Sequence, residues 1–117
     1  MVVLRRILSV SHDLSLLSTR EDILRSAGFE VESTFSTDQA IKWLEDVAFD
    51  LILIGHTVPT SERKEIIAHS RSRAPAVPIV FVHSLAEPGV VEPLADLTTS
   101  PVPVELLSKI KQTLKIS

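Results

Sequence analysis

This sequence predicts an α/β fold: one doubly wound, five-stranded parallel sheet with helices on both faces, in a single domain spanning residues 1–117. Three observations predict it. Short aliphatic runs alternate along the chain with stretches of helical periodicity. The inner runs, Leu51-Ile52-Leu53-Ile54 and Ile79-Val80-Phe81-Val82, contain no polar residue, as in strands buried on both faces. Helix caps, glycines and prolines fall at the boundaries between the runs. The usual doubly wound connectivity then gives the strand order 2-1-3-4-5.

Along the chain, Ile7-Leu8-Ser9-Val10 reads as the first strand. Asp13 caps a helix whose apolar residues Leu16, Leu17, Ile23, Leu24 and Ala27 recur at helical spacing, and Gly28 follows where a helix ends. Phe29 to Phe35 reads as a second strand near an edge. Ser36-Thr37-Asp38-Gln39 matches a capping box ahead of the stripe Ala40, Ile41, Leu44, Val47 and Ala48. After the third strand, closed by Gly55, Ser61 is the expected cap of a helix carrying Ile66 and Ile67. Pro78 opens the fourth strand. Residues 85–95 hold Pro88, Gly89 and Pro93, so the fourth helix is shortened or missing. Leu97 and Thr98 suit a short edge strand. Pro103 suits the first turn of a last helix with the stripe Val104, Leu107, Ile110 and Leu114.

At 117 residues, the chain is long enough to bury a core without disulfides or metal staples. It has no cysteine, which excludes thiolate zinc sites, iron–sulfur clusters and cysteine nucleophiles, and fits a reducing cytoplasm. No apolar run approaches the ~20 residues of a membrane span, and the start lacks the pattern of a secretory signal. Neither membrane nor nucleic acid is expected as a partner. Residues 13–50 hold nine acids against three bases, and residues 51–117 hold six against seven, with no basic stripe. The nearest approach, Arg63, Lys64, Arg71 and Arg73, reads as a solvated helix face.

In such sheets, function sits at the carboxyl ends of the strands. The residues there are Ser11, His12 and Asp13; Gly55, His56 and Thr57; His83 and Ser84; and Thr99, Ser100 and Pro101. Taken with Arg6-Ile7-Leu8-Ser9-Val10, Ala27-Gly28-Phe29-Glu30-Val31, Asp50-Leu51-Ile52-Leu53-Ile54 with Pro59 beyond, Val77-Pro78-Ile79-Val80-Phe81-Val82 and Ser100-Pro101, the whole chain resembles the receiver domain of two-component response regulators. That resemblance implies a flavodoxin-like, CheY-like fold. It also implies a phosphorylation site made of two acids after strand one, an aspartate ending strand three, a Thr or Ser after strand four and a Lys after strand five. This chain carries Ser11 and His12, Gly55, His83 and Ser100 at those positions. Gly55 has no side chain on which an acyl phosphate could form. Ser11 with His12 is a poor ligand set for Mg²⁺, and Ser100 lacks the lysine's charge. The resemblance therefore implies a pseudo-receiver: non-enzymatic, without cofactor, and acting by binding another signalling protein (a kinase, an output protein, a receiver or a second copy of itself).

Alternative readings concern the rim histidines. His12 and His83, with Asp13 adding an oxygen, are the leading candidate ligands for a transition metal, with His56 a third whose strand-end position can turn it to the other side. The same imidazoles could titrate as a pH sensor. Enzyme readings lack their motifs, since glycines at 28, 55 and 89 build neither a nucleophile elbow nor a phosphate-cradling loop. Candidate contact residues are Val90, Val91 and Leu94 in the proline-bounded loop, and Trp43 at the edge of the second helix's stripe.

Overall fold

A computed structural model describes residues 4–116. Strands β1 (Arg6–Val10), β2 (Glu30–Thr34), β3 (Leu51–Gly55), β4 (Ile79–Val82) and β5 (Leu97–Thr99) form one parallel sheet in the order β2-β1-β3-β4-β5. Helices α1 (Leu14–Ser26), α2 (Thr37–Asp46), α3 (Thr60–Arg73) and α4 (Pro103–Leu114) complete it.

Alternation along the central strands divides the core in two. Leu8, Val10, Ile52, Ile54 and Ile79 pack against Ala40 and Leu44 of α2 and Ile66 and Ile67 of α3. Ile7, Leu51, Leu53, Val80 and Val82 pack against Leu24 of α1 and Leu106 and Ile110 of α4. Both faces of β3 and β4 are thus covered, which is why those runs carry no polar residue. Each large aliphatic buried this way contributes about 1.5–3 kcal/mol.

The local signals act as their chemistry requires. Asp13 Oδ1 accepts the Leu16 N–H at 3.0 Å and starts α1. Ser36 Oγ accepts the Gln39 N–H at 3.2 Å and starts α2. Gly28 follows α1 with φ of +95°, a conformation that glycine adopts without strain.

Two expectations need correction. Helix α3 begins at Thr60 after Pro59, with no side-chain cap, so Ser61 lies inside the first turn and caps nothing. The stripe of α4 runs through Leu106 and Ile110, while Val104 is 78% exposed. Leu107 and Leu114 pack at its margin. Between β4 and β5 there are turns and no helix, so the fourth helix is missing outright. No described helix is long and apolar enough to cross a membrane.

Candidate functional site

The register aligns Val10 with Ile54, Gly55 with Val82, and Val82 with Thr99, so the ends of β1, β3, β4 and β5 share one rim. Ser11 is buried there, its hydroxyl 3.0 Å from that of Thr57 and accepting the Asp13 N–H at 3.2 Å. Thr57 Oγ1 also accepts the His12 N–H at 2.9 Å. Together these bonds tie the loop after β1 to the loop after β3. Ser100 Oγ accepts the Val102 N–H at 3.1 Å and shapes the turn into α4.

The space beside Gly55 is filled from below. A Cβ at this position would stand 2.6 Å from Arg20 Nη1, 3.5 Å from the Val10 carbonyl oxygen and 3.6 Å from Ser11 Cβ. Arg20 lies in α1 between Leu17 and Leu24, on the helix's buried face, and is only 3% exposed. It joins no ion pair among the described residues, and its Nη2 is buried without a hydrogen-bond partner. Burial lowers its pKa, and the Asp13 carboxylate opposes that shift. A guanidinium stays protonated under such pressure, so the rim holds a fixed positive charge. Sequence reasoning missed Arg20. The available signal was its spacing, three residues after Leu17 and four before Leu24.

The histidines do not converge. His12 turns to Glu62 of α3, with Nε2 3.5 Å from Oε1, and that oxygen also accepts the Thr37 hydroxyl at 2.6 Å. His83 Nδ1 lies 2.9 Å from the carbonyl oxygen of Ser84. Asp13 is engaged as the α1 cap. Among the described residues no group of three or more His, Asp or Glu side chains could hold a metal ion, so the metal reading gains no support. His56 is half-buried, with Nδ1 enclosed and unpartnered. Burial first, then the Arg20 charge, depresses its pKa, with His83 adding to the effect and Asp13 and Glu87 opposing it.

Beyond the rim, the connection from β4 to β5 is pinned by a buried ion pair. Arg63 Nε meets Glu92 Oε1 at 2.9 Å, their side chains 11% and 2% exposed. Arg63 Nη1 donates to the Val58 carbonyl at 2.7 Å, and the guanidinium lies 5.0 Å from the Phe81 ring centroid. Glu92 Oε2 accepts the Leu94 N–H at 3.1 Å. Arg71 pairs with Asp96 at 3.0 Å, and Arg73 donates to the Glu45 carbonyl at 2.8 Å. The basic row of α3 is therefore a set of tertiary clamps, apart from the exposed Lys64, and the solvated-face reading is corrected. Leu85, Val90, Val91 and Leu94 stand exposed on the pinned connection. Trp43 is half-buried and packs against the core, which makes it a cover more than an anchor.

No protein-family model matches the sequence, and no curated protein matches it. Solved structures do. A CheY-like response regulator receiver domain protein from Methanospirillum hungatei JF-1 is 28% identical, with 97% of this chain and 95% of that chain covered and a TM-score of 0.81. A response regulator receiver protein from Burkholderia phymatum is 21% identical, with 97% of each chain covered and a TM-score of 0.81. The response regulator protein TrrA from Thermotoga maritima, solved in complex with Mg²⁺-BeF, is 19% identical, with 94% and 99% covered and a TM-score of 0.79. The chain has the CheY-like, flavodoxin-like architecture that these receiver domains share.

Proposed function

We propose that this chain is a receiver-like signalling module that cannot accept a phosphoryl group and works by contact with another protein. One observation carries the reading. The position matching the receiver's phosphoacceptor is Gly55, and the volume an aspartate would need there is occupied by the Arg20 guanidinium. Ser11, His12, His83 and Ser100 support it, because their side chains are engaged in local bonds and offer neither an acid pair nor a lysine. The rim thus offers no carboxylate at the end of β3 to take a phosphoryl group and no pair of acids for Mg²⁺.

Contact, in this reading, falls to the helix-free connection between β4 and β5. Its exposed aliphatics are held in place by the Arg63–Glu92 pair, so they present a fixed surface. A kinase, an output protein, another receiver or a second copy of the chain fits the role, in the cytoplasm and without enzymatic turnover. Incubation with Mg²⁺ and a small acyl-phosphate donor, followed by intact-mass measurement, tests the loss of phosphotransfer. The expected result is an unchanged mass, with no amide shifts at Ser11, Gly55 and Ser100 on adding Mg²⁺ and beryllofluoride. A mass gain of one phosphoryl group overturns the reading.

A further inference from the structure

We propose that a cavity between the carboxyl ends of α2 and α3, at the end of the sheet away from the rim, binds a small neutral aromatic alcohol. Its volume is about 160 Å³, and its walls include Leu44, Phe49, Ile52 and Val77 from the core beneath α2 and α3. That is close to the ~150 Å³ of an apolar cavity able to hold benzene. The space admits one ring and no length of peptide.

An unsatisfied hydroxyl lies in the same walls. Ser70 is 1% exposed, and its Oγ has no hydrogen-bond partner among the described residues. A buried hydroxyl left unpaired is costly, and one inside a helix can donate to the carbonyl four residues back, as Thr113 does to Lys109 at 2.7 Å. Ser70 makes no such bond, so it is free to pair with a hydroxyl brought in by a ligand. The other polar side chain in the walls, Arg73, is exposed and reaches across the mouth, where Nη2 donates to the Glu45 carbonyl at 2.8 Å. Glu45 and Asp46 border a hollow just outside, at the negative end of α2, whose last turn carries no base. An anion is disfavoured there, and a neutral ring with one hydroxyl suits both the apolar walls, Phe49 among them, and Ser70. The site is remote from Gly55, so it stands or falls separately from the loss of phosphotransfer.

The test is a titration of the whole chain with phenol, followed by amide NMR and thermal unfolding, with benzene and benzoate as comparison probes. Saturable shifts at residues 44–49 and 70–77, with Ser11, Gly55 and Ser100 unmoved and a melting temperature that climbs with phenol, are expected. Benzoate should bind at least tenfold more weakly. Ser70→Ala removes the hydroxyl and should weaken phenol about three- to tenfold while leaving benzene unchanged. Ala48→Leu, at an exposed residue shared by the cavity and the hollow outside it, should block phenol in a folded protein. Shifts that stay linear with phenol, saturation mapped elsewhere, benzoate binding as well as phenol, or undiminished phenol binding by either variant would overturn the site.

Discussion

Replacing Glu92 by Ala should destabilise the protein more than any surface substitution, because it strands a buried guanidinium. The Glu92 side chain is 2% exposed and accepts from Arg63 Nε at 2.9 Å and from the Leu94 N–H at 3.1 Å. Removing one partner of a buried pair costs about 3–5 kcal/mol, chiefly through the charge left behind. Here Arg63 keeps the Val58 carbonyl at 2.7 Å and the Phe81 ring, and it can turn its open side to water, so the lower end, ~3 kcal/mol, applies. For a chain of this length that is a fall in melting temperature on the order of 10 °C. Glu92→Gln keeps the shape and a neutral hydrogen bond and should cost about 1–2 kcal/mol. The double variant Arg63→Met/Glu92→Leu removes both charges and should recover most of the loss. Urea unfolding at pH 7 measures all three. A cost below ~1 kcal/mol for Glu92→Ala, or additive losses in the double variant, would refute the clamp.

Three further outcomes follow from the structure. Burial pushes the Glu92 carboxyl up, but the hydrogen bonds from Arg63 and the Leu94 N–H outweigh it and leave the pKa below its ordinary 4.5. Stability from this group is complete above that value and drains away as pH falls through the lower folded value; Glu92→Gln should flatten that part of the profile, read by thermal unfolding. For His56, burial and Arg20 depress the pKa below 6.5. The unfolded chain then takes up the proton first as pH falls below about 6.5, so stability should decline there until the folded form also titrates, and His56→Gln should remove the decline. On the pinned connection, Val90→Ser with Val91→Ser should change stability by no more than ~0.5 kcal/mol while weakening self-association or partner binding in sedimentation. A large loss of stability would show those side chains to be structural.

The central strands were readable because burial on both faces leaves an unbroken aliphatic run, and Asp13, Ser36 and Gly28 were readable because capping is local chemistry. That Ser11, Gly55, His83 and Ser100 stand at the carboxyl ends of the strands was readable from the order of the elements. The long-range contacts around them were not. Arg20 and Gly55 meet across 35 residues of chain, and Arg63 and Glu92 across 29, so neither contact leaves a short-range trace. In α4, Val104-Glu105-Leu106-Leu107 offers two helical stripes, and only the packing of the helix into the core shared with Val80 and Val82 selects Leu106.

Arg20 also changes what a single reversion can do. Gly55→Asp places a carboxylate where the proposed reading puts the phosphoacceptor, yet its Cβ must displace Nη1, which stands 2.6 Å away. The guanidinium is the flexible end of a side chain and can yield, after which it becomes the natural ion-pair partner of the new carboxylate. An aspartate held by a buried guanidinium is a weakened nucleophile, and Ser11 and His12 still offer no acid pair for Mg²⁺ beside it. Gly55→Asp should therefore be at least as stable as the native chain and remain unmodified by an acyl-phosphate donor. Gaining a phosphoryl group should require the acids at 11 and 12, a lysine at 100 and an apolar residue at 20 as well. Intact-mass measurement separates the cases: modification of the single variant would mean that Arg20 does not block the rim, and that the missing carboxylate alone had silenced it.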